Sequence, residues 1–462
     1  MRYRPELTRS SWQRGALARS AAVALMSVMV LSATATAGTT KRVKDINPGG
    51  DSNPGQLVNY KGKVFFLADT PGAGGRELWK SDGTKAGTKR VKDIWPGNGH
   101  SDPRSMRVVN GILYFAAASP DHGRELWRSD GSRKGTYRVK DIAPDAAGSH
   151  PEFLQRVGKK LFFSARHPTK GRELFVSDGT AKGTKLLRNI APGSDDSDPN
   201  GLVPFKGKLY FQATTADEGA ELWKSDGTTA GTKMVRDVNL GMGGSYPAKL
   251  TAVGDRLYFI AETPATGFEV FKTKGTKKTT KLLLDINDGP PASNPGSLVR
   301  FGKKLLFAAT DTTKGRELWK SNGKRPGTKR LKDIADGIAD SDPDDITKAG
   351  GRVYFSADTS ATGFELYRSD GTKKGTKLHK DIVSGGADSS PLVLTAMGKS
   401  VFFAAVPTDY ELYRTKPKGA SRVKDINPGP VGSGPGWLTK VGKRLYFSAR
   451  DGKGRELWVW KP

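Results

Sequence analysis

The 462-residue chain has no cysteine. That excludes disulfides, a lipid-anchoring thiol and thiolate metal sites. Histidine is scarce: His100, His122, His150, His167 and His379 stand at different repeat positions and form no constellation. There is no His-Glu-x-x-His, no Gly-x-Ser-x-Gly and no phosphate-binding P-loop. Isolated carboxylates abound, but nothing selects one pair for glycosidase-type chemistry. Helical periodicity is absent beyond the N-terminal segment. The longest apolar run, Ala21 to Leu31, has 11 residues, too few to span a bilayer.

Arg2, Arg4, Arg9, Arg14 and Arg19 precede that run, and Ala35-Thr36-Ala37 follows it as a cleavage site. Residues 1–37 therefore read as an export signal of the general secretory type. The expected mature chain, 38–462, is secreted or periplasmic, has no membrane span and is a monomer. Acid is also under-represented. Without residues 1–37 the chain holds 71 Lys and Arg against 46 Asp and Glu, a net +25. Such a charge favours acidic partners: nucleic acid, anionic polysaccharide or an envelope surface. A basic coat on an exported repeat protein gives the same balance.

What the chain does have is repetition. A Glu-aliphatic-aromatic triplet begins at Glu77, Glu125, Glu173, Glu221, Glu269, Glu317, Glu365, Glu411 and Glu456. The first seven are 48 residues apart, and the last two steps are 46 and 45. A fixed period of this length signals a repeat architecture. In residues 54–93 four short strands are legible: around Leu57-Val58, at Val64 to Leu67, from Glu77, and at Arg90 to Asp93. Their apolar runs are β-branched and aromatic and are bounded by Gly and Pro. Asp82 in Ser81-Asp82-Gly83-Thr84 can bond its downstream backbone, and Gly83 accepts a positive φ.

The second strand carries a Phe in all nine copies and the third an aromatic in all nine. Packing between adjacent sheets explains them better than an open stacking platform. A Lys or Arg precedes the fourth-strand Asp or Asn in eight of nine copies; Leu284 is the exception. Glu and Lys/Arg are expected to form cross-strand pairs.

Four strands in about 48 residues fit a β-propeller blade. The mature N-terminus, Thr39 to Ile46, reads as a fourth strand without its first three. The C-terminus, Arg455 to Trp458, reads as a third strand without a fourth. The expected fold is an all-β, closed propeller of nine four-stranded blades, with the N-terminal strand completing the last. Eight blades plus a displaced unit is the alternative, because residues 413–418 lack the usual turn.

The phrases ELWKSDGTKAGT (77–88), ELWRSDGSRKGT (125–136) and ELYRSDGTKKGT (365–376) resemble the ELWxxDGT-repeat family of exported bacterial proteins, also called hyalin-like. The likeness covers nearly the whole mature chain. It departs at residues 273–276, at 321–324 and at the eighth turn. It implies export and a repeat fold, and no activity, cofactor or catalytic residue.

The nine loops joining a fourth strand to the next first strand hold eleven Asp and no Lys or Arg. They are expected to form an acidic mouth. The opposite turns, with Lys61, Lys63, Lys85, Lys159 and Lys160, form a basic back. Every such loop ends in Ser-x-Pro. The variable residues Asn53, Asp102, His150, Asp198, Tyr246, Asn294, Asp342 and Ser390, with Gly434, are the candidate ligand-binding positions. Asp195, Asp196 and Asp198 crowd one loop, and Asp336, Asp340 and Asp342 another. Carboxylates of this kind suit Ca²⁺, though the spacing matches no EF-hand. No other cofactor is expected. The function expected is non-enzymatic binding of an extracellular or envelope ligand: a protein, an anionic polymer or a carbohydrate. A propeller enzyme acting on extracellular polysaccharide is the alternative.

Overall fold

Each repeat folds into one four-stranded antiparallel sheet, and the sheet count is nine among the described residues. The computed structural model describes residues 38–462 apart from 71, 73, 145, 407 and 408. The expected export signal lies outside the described residues. No helix among them is long and apolar enough to cross a membrane.

In the first blade the strands are Gly55–Tyr60, Lys63–Asp69, Arg76–Ser81 and Lys89–Lys92, paired in chain order. Lys61 and Gly62 turn the first hairpin with φ of +50° and +72°, the left-handed pair that matches strand twist. At the next turn Asp82 Oδ1 accepts the Thr84 N–H at 3.0 Å. Gly83 lies at φ +86°, and a side chain there would meet Tyr446 Oη of the neighbouring blade.

The first strand of every blade touches the first strand of the next, and Gly436–Val441 meets Gly55–Tyr60. The nine inner strands therefore form a closed ring around a channel. The ninth sheet is completed by Thr39–Arg42, which pairs with Gly454–Lys461 in the register Thr39↔Lys461 to Arg42↔Trp458. Ring closure by the N-terminal strand is thus observed. The alternative of a displaced eighth unit does not hold. Its strands Glu411–Lys416 and Gly419–Lys424 form a tight hairpin, and the blade keeps four strands.

The core lies between blades. The second-strand Phe residues are fully buried in all nine copies, from Phe66 to Phe447. Each faces the third-strand aromatic in register, as Phe66↔Trp79 and Phe163↔Phe175. The array is packing, with about 1.5–3 kcal/mol gained per buried Phe. At the seam Val43 and Ile46 join Phe66, Trp79, Tyr446 and Val459 in one cluster.

The expected Glu–Lys/Arg pairing is overturned. In seven of the nine blades the cation before the fourth-strand Asp or Asn reaches instead to a carbonyl of the next blade. Lys44 Nζ donates to Thr88 O at 3.2 Å, Lys92 to Thr136 O at 2.7 Å and Arg188 to Thr232 O at 2.6 Å. The same groups lie 5.6–5.8 Å from the rings of Trp79, Trp127 and Trp223, a cation–π geometry. Much of the positive charge thus rivets blades together. In the fifth blade, where Leu284 replaces the cation, the fourth strand shrinks to Lys281–Leu282.

Candidate functional site

The loops at the channel mouth are built on the recurring glutamate. Glu77 is fully buried. Its carboxylate accepts the N–H of Ile94 at 3.0 Å and of Trp95 at 3.1 Å, and the hydroxyl of Ser101 at 2.7 Å. Glu365 does the same with Ile382, Val383 and Ser389. The serine is that of Ser-x-Pro, so each glutamate pins its own loop. Burial raises the carboxyls of Glu77, Glu173, Glu269 and Glu317 to about 7, while the donors oppose it.

The pin fixes the variable residue too. The amides of Ser52 and Asn53 both donate to Arg455 O, at 3.0 and 3.3 Å. Ser197 and Asp198 do so to Arg172 O, and Ser245 and Tyr246 to Ala220 O. Two successive amides are aimed at one carbonyl, and the second of the two residues lies in left-handed backbone. All nine x positions, Asn53 to Gly434, have φ between +41° and +50°. Asn, Asp, His and Gly adopt this more readily than Tyr246 and Ser390.

At the mouth, arginines from neighbouring strands pair with part of the loop aspartates. Asp102 meets Arg104 at 2.6 Å, Arg76 at 3.7 Å and Arg124 at 3.8 Å. Asp342 meets Arg316 at 3.1 Å, and Asp198 meets Arg172 at 3.9 Å. Asn53 Nδ2 donates to Asp69. Arg172 donates to His150 O, and Arg316 to Asn294 O. Tyr246 is 49% exposed and Ser390 half-buried.

Neither aspartate group gathers as a metal site. Asp196 Oδ1 accepts the Arg172 amide at 2.6 Å, and Asp340 Oδ1 accepts the Arg316 amide. Asp195 is exposed, and Asp336 does not converge with Asp340 and Asp342. Among the described residues the one acidic trio within 4.8 Å is Asp409, Glu411 and Asp425. Glu411 there is its blade's loop pin, held by Ile426, Asn427 and Ser433.

A second variable ring lies three residues further on, at Gln56, Ser105, Phe153, Gly201, Lys249, Ser297, Asp345, Val393 and Trp437. All nine have φ between +48° and +61°. Each marks a bulge in its inner strand, where the pairing register shifts. A β-branched residue such as Val393 is strained in this region, and such strain gathers at functional sites. The ring was detectable in sequence as a column without a preferred residue type, ahead of a constant Leu, Ile or Met.

Neighbouring inner strands are stitched by the residue two places beyond this ring. Gln155 Nε2 donates to Leu202 O at 3.0 Å, Thr347 Oγ1 to Leu394 O at 3.0 Å and Thr439 Oγ1 to Leu57 O at 3.3 Å. Thr439 and Thr395 also donate to the carbonyls of Trp437 and Val393 in their own strands, at 2.9 and 3.0 Å. There a cleft of about 500 Å³ is lined by Asp345, Val393, Leu394, Thr395, Gly436, Trp437, Leu438 and Thr439. These residues come from three consecutive inner strands, near the ends that follow the Ser-x-Pro loops. Trp437 is 51% exposed, and its Nε1 lies where a side chain at Gly55 would make contact. Asp345 Oδ2 accepts the Leu394 amide at 2.6 Å, and burial pushes its carboxyl up to about 6.

No protein-family model matches the chain, and no curated protein matches it in sequence. Similar solved structures include a puromycin hydrolase S511A mutant complexed with PGG, 14% identical, with TM-score 0.39 over 75% of this chain and 58% of that one. A puromycin-hydrolyzing peptidase of Mycobacterium tuberculosis is 12% identical, with TM-score 0.40 over 81% and 61%. The β-propeller domain of the Trilobed protease from Pyrococcus furiosus is 11% identical, with TM-score 0.34 over 71% and 99%. The chain spans about three-fifths of the two hydrolases, and no chemistry follows from these values.

Proposed function

We propose that the chain is an exported, non-enzymatic binding propeller that holds an extracellular or envelope ligand at the mouth of its channel. The observation that supports this is the break in ninefold symmetry. The loop frame is constant and buried, both left-handed rings vary, and one cleft opens among three inner strands. The recurring glutamates are buried and committed to loop amides, which favours binding over hydrolysis of a polysaccharide. The basic segment before the apolar run and the resemblance to ELWxxDGT-repeat proteins support export, to the periplasm or beyond. Lys61, Lys63, Lys85, Lys159 and Lys160 are exposed on the opposite turns and suit an anionic polymer. Nucleic acid fits that face less specifically, and its retention would fall steeply with salt.

A glycan and polyanion array probed with residues 38–462 and with Trp437→Gly tests the reading. Signals that vanish in the variant support it. Arrays that are blank with and without Ca²⁺, or unchanged by the variant, contradict it.

A further inference from the structure

We propose that the cleft among the inner strands Asp344–Ala349, Leu392–Met397 and Gly436–Val441 is a site for a small organic ammonium ligand. Asp345 would hold the cationic group, and Trp437 and Val393 the apolar body. This deepens the reading that the channel mouth is the binding face, and rests on it.

Asp345 is a fixed carboxylate without a cation. The Leu394 amide, 2.6 Å from Oδ2, anchors it to the cleft wall. Among the described residues no Lys or Arg pairs with it, whereas Asp342, three residues earlier, holds Arg316 at 3.1 Å. The charge felt at Asp345 is that of Asp344, a second carboxylate. Leu392–Met397, packed against it, carries no charged residue. Arg300, Lys348, Lys440 and Arg352 lie at the opposite ends of their strands. The cleft is therefore locally negative in a strongly basic chain.

Burial opposes the ionisation of Asp345, which an incoming ammonium group would favour. Trp437 supplies an indole for the cation and its apolar substituents. Val393 and Trp437 hold left-handed backbone at φ +53° and +57°, so strain sits on the two residues that would touch the ligand's body. The cleft, of about 500 Å³, is open to solvent, so a ligand there would rest on one wall, against Asp345, Val393 and Trp437.

The test is calorimetric titration of residues 38–462 with phenethylammonium chloride and with its neutral isostere 2-phenylethanol. At pH 7.5 the ammonium compound should bind about tenfold tighter or better, the scale of one ion–carboxylate or cation–π contact. Asp345→Asn keeps an acceptor for the Leu394 amide and should lose that preference with unchanged melting. Trp437→Gly, which suits the left-handed backbone, should weaken both probes. Binding of the ammonium probe should fall about tenfold from pH 7.5 to 5, and not in Asp345→Asn. Equal affinity for the two probes, a preference retained in Asp345→Asn, or no binding of either overturns the ammonium assignment. The array comparison with Trp437→Gly decides separately whether the mouth binds at all.

Discussion

Ser52 Oγ donates to Glu456 Oε2 at 2.7 Å, joining residues 404 apart in the chain. Within a blade the same bond, Ser101 to Glu77, spans 24 residues at 2.7 Å. The seam of the ring is thus held as are the junctions at Glu125, Glu173, Glu221, Glu365 and Glu411. Ile46 and Asn47 add their amides to the same carboxylate, at 3.1 and 3.3 Å.

Ser52→Ala should therefore destabilise the fold by about 1.5–3 kcal/mol, the scale of a hydrogen bond to a buried charged group. Glu456→Gln should cost more, because its amide would confront the Ile46 or Asn47 N–H. Urea unfolding of both variants checks this; losses below about 0.5 kcal/mol would show that the seam does not depend on the pin.

Stability should depend on pH in an unusual direction. Glu77, Glu173, Glu269 and Glu317 are raised to about 7 by burial, against about 4.3 in an unfolded chain. The folded state then binds more protons between these values, so their contribution is fully present below about pH 4.3 and is lost as pH rises through 7. The melting temperature should fall from pH 5.5 to pH 8.5, with a shallower slope in Glu317→Gln. A rise over that interval would mean that the loop amides and serines outweigh burial.

Lys92→Met removes the bond to Thr136 O and the contact with the Trp127 ring. A loss of about 0.5–1.5 kcal/mol is expected. It should be nearly the same in 0.05 M and 0.5 M NaCl, because carbonyl and indole partners at short range are screened little. A loss that disappears in high salt would point to a long-range charge effect.

Much of this architecture is legible in the sequence because a repeat reports its own frame. The period located the strands, the two chain ends revealed the closure, and the nine Phe marked the core. The glutamate was harder to read. Sequence shows that Glu and Lys recur together, but not that Glu77 is buried beneath the Ile94 amide while Lys92 points to another blade. The arginine partners of the mouth were hidden for a similar reason: Arg76, Arg172 and Arg316 lie in the third strands, outside the loops whose Asp102, Asp198 and Asp342 they meet. The second ring escaped because a bulge does not disturb an apolar pattern. Gln56 and Trp437 look like ordinary strand residues until their φ angles are known.

Val393→Gly tests whether the second ring is held under strain. Left-handed backbone costs a non-glycine residue about 1–2 kcal/mol, against about 0.5–1 kcal/mol for the freedom of glycine in the unfolded chain. Stability should stay level or rise by up to about 1 kcal/mol in urea unfolding. A loss above 1 kcal/mol would make Val393 a packing residue.

The claim that the varying ring binds while the constant frame folds can be read from one spectrum. The protein has nine tryptophans, with Trp79, Trp127, Trp223, Trp319, Trp458 and Trp460 buried and Trp437 half exposed. With 5-fluorotryptophan incorporated, the ¹⁹F resonance absent from Trp437→Gly identifies Trp437. That resonance should shift when phenethylammonium or any array ligand lost in Trp437→Gly is added, while those of the buried tryptophans stay in place. A ligand that binds and leaves the Trp437 resonance unmoved would contradict the account.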